Sequence, residues 1–477
     1  FSLLSNSMPT FDSSFHQNKT RREFLDRASG GFGAVALAGM FKELQGSSMN
    51  PLEARPSHHA PKAERVIFLY STGGVSHIDT FNHRPQLTKD HGKSITASRW
   101  LNKPGSYKRF LTKSRFSFKQ YGQSGAWVSE LFPHLGSVID DICVLNAMHC
   151  ESDGHDKATL AAHTGSAQFA RPSAGSWVSY GLGTENQNLP SFMVLGPAAP
   201  YAGSQTWGSD FLPACHQGTH LIPGKDPLPN IKPQNPNLSL QQMELALRQK
   251  VNRTYLTEPS SDQQLEARIR SFETAFGMQR EAPEAFNFAE ETDETMDLYG
   301  IKRETTTGFG WQCLVARRLA ERGVRFLELI DVGSSNNWDS HGNIGDHERL
   351  AKAIDKPIAG LLTDLKRRGM LDSTLVVWTT EFGRTPFHEN PDHPGREHHN
   401  LCFSSWMAGG GIKGGIVHGE SDEYGIRTAK DAVHTHDLHA TMLHLLGINH
   451  EQLTFRHAGR DFRLTDVYGN VINKIIS

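Results

Sequence analysis

Short apolar runs rich in valine, isoleucine and aromatic residues alternate along the chain with longer stretches in which apolar residues recur at helical spacing. The clearest pair is the helical stretch 354–370, followed by the apolar run 376–379. A short run of this composition is typical of a buried strand, and the alternation of helix and strand is typical of an open parallel sheet. The pattern therefore predicts an α/β protein with a mainly parallel sheet.

The same patterns predict most of the remaining elements. Further buried strands are predicted at 66–70, 142–145, 191–195 and 324–330, and further helices at 128–138, 157–163, 175–183, 311–322 and 434–446. Residues 196–236 are crowded with proline, glycine and asparagine, which predicts a long ordered loop over the candidate site described below. Amphipathic helices are predicted at 238–255 and 263–278. We therefore expect a helical insertion at about 196–300 within one domain, 63–477.

The first 62 residues follow neither pattern and predict a targeting segment. The sequence from Thr20 to Leu25 contains paired arginines and matches a twin-arginine signal, and a glycine- and alanine-rich stretch follows at 28–41. That stretch is too short and too rich in glycine to span a membrane. Residues up to about 62 are rich in serine, proline and histidine, which predicts a disordered tether. We expect export by the twin-arginine translocase to the periplasm or the extracellular space, with no membrane span in the mature chain.

Composition narrows the classes of function. The formal net charge of −2 gives no electrostatic reason to expect nucleic acid or an anionic membrane as a partner. Of the 25 histidines, 13 occur from His341 onward, which indicates metal or proton chemistry in the C-terminal third. More than half of these histidines are expected to be surface residues with no shared role. The five cysteines show neither CxxC nor zinc-ligand spacing.

Five polar segments each follow an apolar run: 71–79, 149–156, 336–341, 381–384 and 395–399. Ligands of open parallel sheets bind beyond the carboxyl ends of the strands, so these segments are expected to meet there. We predict a cleft about 10–12 Å across that gathers seven side chains. These are His77, Asp79, His155, Asp339, His341, Glu381 and His398. Taken alone, Glu381 and Arg384 could equally pair with each other at a simple turn.

Several motifs resemble those of a known family. They are Gly73-Gly74-x-Ser76-His77-x-Asp79, Trp338-Asp339-x-His341-Gly342, Glu381-Phe382-Gly383-Arg384-Thr385-Pro386 and Gly409-Gly410-Gly411-Ile412-Lys413-Gly414-Gly415. They look like the exported domain of unknown function 1501 family over about residues 65–474. That family is similar to the alkaline phosphatase and sulfatase superfamily. The resemblance implies a three-layer α/β sandwich with helices on both faces of the sheet, and a metal-assisted ester hydrolase.

The superfamily's site residues carry over only in part. The nucleophile position, nine residues before Thr164-Gly165, holds His155, and no Cys-x-Pro/Ser-x-Arg motif stands there, so a formylglycine sulfatase is not supported. The aspartate expected after the first strand aligns with Thr72, which leaves His77 and Asp79 as stand-ins. The Asp-x-x-x-His pair aligns with Asn337 and His341, and Asp339 lies between them. The later Asp-His pair becomes Glu381-Phe382, and the final histidine is His398 or His399.

Two classes of function follow from the sequence. The first is a metal-dependent hydrolase of sulfate or phosphate esters, acting on a small-molecule or polysaccharide ester. Its predicted metal ligands are His77, Asp79, Asp339, His341, Glu381, His398 and His399. Mixed histidine and carboxylate ligands suit Zn, Mn or Fe better than Ca.

In this hydrolase His155 would be a nucleophile, a base or a ligand, and Arg384 would bind the anionic group. The second class is a catalytically inactive exported binding or structural protein that retains the fold. The metal content of the purified protein discriminates between the two classes.

Overall fold

The computed structural model describes residues 50–97, 107–229, 231, 238–256 and 263–477, and the folded unit extends from Asn50 to Ser477. The predicted signal sequence lies outside the described residues and stays a prediction. Residues 50–62, predicted as the end of a disordered tether, belong to the folded unit instead. Leu52 is buried, and the backbone N–H of His59 donates to the carbonyl of Gly447.

A nine-stranded central sheet organises the fold. In chain order its strands are β1 (Arg65–Tyr70), β2 (Ile142–His149), β3 (Phe192–Leu195), β4 (Thr219–Leu221), β5 (Phe326–Ile330), β6 (Thr374–Thr379), β7 (Phe403–Ala408), β8 (Ile416–His418) and β9 (Val433–His434). Their order across the sheet is β8-β2-β7-β6-β1-β5-β3-β4, and β9 pairs with β2. Within this described sheet, β7 alone runs antiparallel to its neighbours. The prediction of a mainly parallel sheet is therefore confirmed.

Alternation along the strands divides the apolar core into two layers. In β1, Val66, Phe68 and Tyr70 face one layer, whereas Ile67 and Leu69 face the other. Successive side chains of a strand point to opposite faces, and all five of these are buried because the sheet is covered on both sides. Burying one large apolar side chain contributes about 1.5–3 kcal/mol to the stability of the fold. The apolar side chains on the two faces of the sheet therefore stabilise the packing of both helical layers.

Helices form those covering layers. The described helices are α1 (Pro85–Lys89), α2 (Pro133–Ser137), α3 (His155–Thr164), α4 (Ala174–Leu182), α5 (Leu238–Leu256), α6 (Gln263–Phe286), α7 (Asp293–Leu298), α8 (Phe309–Glu321), α9 (Asp346–Arg367) and α10 (Thr435–Leu445). α8 and α9 pack in the layer of Ile67, and α4 and α10 pack in the layer of Val66. The predicted sandwich of three layers is therefore confirmed. None of the helices in the described part of the chain has the length and apolar character needed to cross a membrane.

Two predicted elements are wrong in detail. Residues 128–138 are not one helix, because Ala126–Ser129 pairs as a strand with Phe118–Tyr121 and α2 begins only at Pro133. Proline suits the first turn of a helix, where its missing N–H would have no partner in any case. The loop predicted at 196–236 contains β4, whose three residues are too few to show a strand pattern. Helices α5 and α6 lie where helices were predicted.

Candidate metal centre

Six of the predicted site residues come together beyond the carboxyl ends of β2, β5 and β6. His155 is the first residue of α3, which follows β2, and Asp339 and His341 lie in the loop between β5 and α9. Glu381 and Arg384 follow β6 directly, and the short strand His398–His399 pairs with Gly383–Arg384. The parallel sheet explains this convergence, because the segments that leave its strands in one direction share one edge.

Asp339 is the centre of this cluster. Its Oδ1 lies 2.7 Å from Nη2 of Arg384, 3.0 Å from Nε2 of His341 and 3.2 Å from Nε2 of His398. Its Oδ2 lies 3.2 Å from Nε2 of His155. Burial raises the pKa of Asp339, but the three histidines and Arg384 outweigh burial and hold the pKa well below its ordinary value. Asp339 is therefore an ionised carboxylate that faces three imidazoles.

All three imidazoles present the same nitrogen to Asp339, because the other ring nitrogen of each faces an acceptor. The acceptors are Glu381 Oε1, 2.8 Å from His155 Nδ1, the carbonyl of Asp153, 2.7 Å from His398 Nδ1, and Glu397 Oε2, 3.2 Å from His341 Nδ1. A neutral imidazole that donates from Nδ1 carries its lone pair on Nε2. The Nε2 atoms of His341 and His398 are only 2.9 Å apart.

Glu381 orients His155 and has no oxygen left for a ligand. Its Oε1 accepts hydrogen bonds from the Gly73 N–H and from His155, and its Oε2 accepts from the hydroxyls of Tyr70 and Thr380. Burial raises the pKa of Glu381, but the hydrogen bond from His155 and its charge outweigh burial, so the pKa is lowered. The carboxylate is 1% exposed. Its predicted role as a metal ligand is therefore corrected to that of a buried partner of His155.

Two aromatic rings pack against the ring of His155. Tyr201 stacks on it with ring centroids 4.1 Å apart, and Phe382 packs 5.0 Å away. Burial lowers the pKa of His155, but its contacts with Asp339 and Glu381 outweigh burial and raise the pKa above its ordinary value. The Nε2 atom is buried, and although Asp339 is close, no hydrogen bond of acceptable geometry reaches it. This nitrogen is therefore available to a cation.

Gly73 allows the loop after β1 to pack closely against the backbone of Asp339. Its φ of +117° lies in a region that suits glycine, and a Cβ there would lie 2.7 Å from the backbone nitrogens of Trp338 and Asp339. Gly73 thus lets the backbone approach the loop that carries Asp339, while its own N–H reaches Glu381.

The guanidinium of Arg384 contacts Asp339 and the backbone around it. It is completely buried, and its Nε donates to the carbonyl of Gly74, its Nη1 to that of Arg396, and its Nη2 to that of Gly73 and to Asp339. A guanidinium has about five N–H donors, so these contacts leave one. Arg384 was predicted to bind the anionic group of a substrate, and the structure directs most of its donors at the protein itself.

His77 and His399 lie outside the cluster, contrary to the prediction. Nε2 of His77 donates to the carbonyl of Gly425 at 2.8 Å, and Nε2 of His399 lies 2.6 Å from the carbonyl of Ile426. Burial lowers the pKa of His77 to about 3 and that of His399 to about 4, so both rings are neutral. The two rings stack 6.0 Å apart and anchor the 425–426 turn.

Asp79 is the third predicted ligand that the structure places elsewhere. It is buried and accepts a hydrogen bond from Nε of Arg396 at 2.7 Å and from the hydroxyl of Ser114 at 2.8 Å. Burial raises the pKa of Asp79, but the Arg396 guanidinium and the neighbouring hydroxyls outweigh burial and lower it. This ion pair fixes the loop after β1 to the segment that precedes His398.

Four residues of the site were not identified from the sequence. Tyr70 and Tyr201 contact Glu381 and His155, and Asp153 and Glu397 face the Nδ1 atoms of His398 and His341. Tyr70 could have been identified from the sequence, because it is a hydroxyl-bearing residue at the carboxyl end of a buried strand. Asp153 acts through its backbone carbonyl, which no side-chain pattern can reveal.

The comparisons with known proteins identify a family. A family model described as "Protein of unknown function (DUF1501)" matches residues 63–476. The chain belongs to this family. No curated protein matches the sequence.

Several solved structures are similar in fold to this DUF1501 member. Ps i-CgsB, solved in complex with k-i-k-neocarrahexaose, has 11% identity and a TM-score of 0.36, with 81% of this chain and 72% of that chain covered. Alkaline phosphatase from the Antarctic bacterium TAB5 has 10% identity and a TM-score of 0.30, with 73% and 92% covered. The PsFucS1 sulfatase from Pseudoalteromonas sp. has 12% identity and a TM-score of 0.33, with 88% and 72% covered. Likenesses this distant say nothing about individual residues.

Proposed function

We propose that His155, His398 and Asp339 hold one divalent cation, with His341 beside them as a fourth candidate ligand, and that the protein uses the cation to hydrolyse sulfate or phosphate esters. The observation that carries the proposal is the convergence of three Nε2 atoms on one ionised carboxylate, each imidazole facing an acceptor through Nδ1. This arrangement is the one in which a carboxylate or carbonyl orients a histidine whose other nitrogen binds a metal.

The distances fit one ion between His155, Asp339 and His398, whose ligand atoms all lie within 4.8 Å of one another. Nε2 of His341 lies 2.9 Å from Nε2 of His398 and 3.0 Å from Oδ1 of Asp339, at the exposed side of this group. Ligand atoms that surround a zinc ion tetrahedrally at about 2.0–2.1 Å are about 3.3 Å apart. Three imidazole nitrogens and a carboxylate oxygen suit Zn, Mn or Fe better than Ca.

Protons and a cation would compete for the same nitrogens of the cluster. The hydrogen bond to Asp339 raises the pKa of His341, and contacts with Asp339 and Glu381 raise that of His155 against the effect of burial. For His398, burial dominates and lowers the pKa, so its Nε2 keeps a lone pair, which lies 2.9 Å from Nε2 of His341. A cation bound here would displace the protons of His155 and His341 and contact this lone pair.

The assigned residues have distinct tasks in the proposed reaction. Of the three roles open to His155, the geometry favours ligand, with Glu381 fixing its ring and raising the basicity of its Nε2. Arg384 holds Asp339 in place. His341 has a side chain 41% exposed, which marks the open side from which an ester would approach. A divalent ion bound here would supply Lewis acidity to polarise the ester.

The ester class and the location are parts of this proposal that rest on sequence. Sulfate or phosphate esters follow from the similarity of the DUF1501 family, which the motifs resemble, to the alkaline phosphatase and sulfatase superfamily. Export follows from the twin-arginine motif near the N-terminus.

Metal analysis and activity assays of matched variants test the proposal. Zinc content is measured in the wild-type protein and in His155→Ala and His398→Ala, with His457→Ala as the control because His457 is exposed and distant in sequence. We expect each cluster variant to lose one equivalent of zinc and to lose hydrolysis of aryl phosphates and aryl sulfates. Wild-type zinc content in both cluster variants would contradict the proposed centre.

A second function is favoured by the contacts of Arg384. Because its donors are almost all used within the protein, the cluster lacks the guanidinium that was predicted to bind the anion. An exported metal-binding protein without hydrolytic activity would need no such group. Zinc bound in full, together with no hydrolysis of either ester class, would select this second function.

A further inference from the structure

We propose a second divalent-cation site, formed by Glu151, His434 and His436, which shares no residue with the centre around Asp339. The three side chains present ligand atoms within 4.8 Å of one another. The site goes beyond the proposed hydrolysis, because it lies at another pair of strand ends. Its role would be to fix the segment that leads into α3.

The topology of the sheet brings these residues together. β9 pairs with β2 in parallel, with His434 opposite His149. Glu151 follows the end of β2 by two residues, and His436 is the second residue of α10, which begins directly after His434, so all three lie at the end of this strand pair. The rings of His149 and His434 are in contact, with centroids 4.9 Å apart.

His436 supplies the observation that points to a ligand. Its Nε2 lies 2.9 Å from the carbonyl of Gly165, to which it donates, so its Nδ1 carries the lone pair. The residue is 4% exposed, and this buried Nδ1 has no hydrogen-bond partner. It faces Glu151, whose Oε1 is 4.0 Å away. A buried acceptor that faces an anion is unfavourable unless a cation or a proton lies between them.

His434 and Glu151 are the other two proposed ligands, and both are more exposed to solvent than His436. Nε2 of His434 lies 3.3 Å from Oε1 of Glu151, and its Nδ1 accepts a long hydrogen bond of 3.2 Å from the backbone N–H of His436. A cation would take the place of the Nε2 proton, and the ring would adopt the tautomer that carries its proton on Nδ1, in exchange for that long bond. The side chain of Glu151 is 47% exposed, so solvent can reach the site.

Glu151 supplies the carboxylate of the site, with Oε1 directed at both histidines. One carboxylate and two imidazoles, with His149 beside them, form a mixed oxygen and nitrogen set that suits zinc and its neighbours in the first transition row.

The position of the second site gives it a structural task. Glu151 begins the segment that continues through Asp153, whose carbonyl contacts His398, to His155 at the start of α3. The other end of the site, His434 and His436, starts α10. A cation held by both would fasten this segment to α10 and so help to keep His155 and His398 in place.

Zinc stoichiometry tests the second site separately from the first. Purified protein is loaded with zinc, passed through a desalting column and analysed for metal. We expect two equivalents in the wild type, one in Glu151→Ala, one in His155→Ala and none in the double variant. Glu151→Ala is the main variant because the residue is half exposed and its loss does not open the core. His457→Ala is the matched histidine control and should keep two equivalents.

Hydrogen exchange adds a readout that does not depend on activity. Zinc should slow exchange of the amides at 434–436 in the wild type and in His155→Ala, but not in Glu151→Ala or His436→Ala. The loss of one ligand should weaken zinc binding at least about 100-fold, as the loss of mere supporting contacts already costs 10–100-fold.

The possible outcomes separate the two proposals. One equivalent in the wild type that is lost in His155→Ala but retained in Glu151→Ala overturns the second site and leaves the centre around Asp339 intact. One equivalent that is lost only in Glu151→Ala supports the second site and overturns the first. Zinc content and exchange in Glu151→Ala equal to those of the wild type also overturn the second site.

Discussion

Glu381→Gln is the substitution that most directly tests how the proposed centre is built. Glutamine keeps the shape of glutamate, and its carbonyl oxygen can still accept from the Gly73 N–H and from Nδ1 of His155. Its amide would face the hydroxyls of Tyr70 and Thr380, which can rotate to accept. The substitution therefore removes the buried charge while it retains the hydrogen bonds, so the fold should persist.

The expected loss can be worked out from these contacts. A hydrogen bond to a charged acceptor contributes about 1.5–3 kcal/mol, and a neutral one about 0.5–1.5 kcal/mol, so roughly 1–1.5 kcal/mol disappears from the orientation of His155. The lower basicity of Nε2 adds to this loss, and supporting partners of metal ligands typically contribute 10–100-fold in affinity. We therefore expect zinc to bind about 10–100-fold more weakly, which corresponds to about 1.4–2.7 kcal/mol.

Competition between the protein and a chromogenic chelator measures this affinity. The measurement is made in a Glu151→Ala background, so that zinc at the second proposed site does not contribute. Tyr70→Phe is the matched control, because the Tyr70 hydroxyl contacts Oε2 of Glu381 rather than His155. That control should weaken zinc binding less than about tenfold. An affinity of Glu381→Gln equal to that of its parent would refute the assignment of Glu381 as the partner of a metal ligand.

Two further predictions concern the scaffold. Gly73→Ala should destabilise the protein by at least about 2 kcal/mol in urea unfolding, since its Cβ would press on the nitrogen of Asp339. Gly92→Ala, also at positive φ but with open space around its Cβ, should cost only about 1 kcal/mol, and equal losses would contradict the packing argument. Glu328 lies 3.0 Å from His163 in the core and raises its pKa against the effect of burial. A raised pKa stabilises the fold below the unfolded value of about 6.5 and loses that effect as pH rises through the folded value. The stability advantage of the wild type over Glu328→Gln should therefore shrink from pH 6 to pH 9, and a constant difference would show that His163 is not charged.

Neighbouring histidines show why the site could be predicted only in part. The pair at 398–399 was expected to supply one ligand, and the sequence left the choice open. In the structure these residues form a short strand, so their side chains point in opposite directions. His398 reaches Asp339, whereas His399 contacts the carbonyl of Ile426. The choice depends on the pairing of this strand with Gly383–Arg384, which is a long-range contact.

The sequence by itself determined the α/β class, the central strands and the edge of the sheet at which the polar segments meet. These features follow from the spacing of apolar residues, which is local, and from the rule that parallel strands end at one edge. Only the tertiary structure decided the tasks of individual side chains. Glu381 and Arg384 were expected to bind a metal and an anion, yet both are buried with their hydrogen-bonding groups directed at the protein. A side chain's role depends on which partners surround it after folding, and that information is not contained in its spacing along the chain.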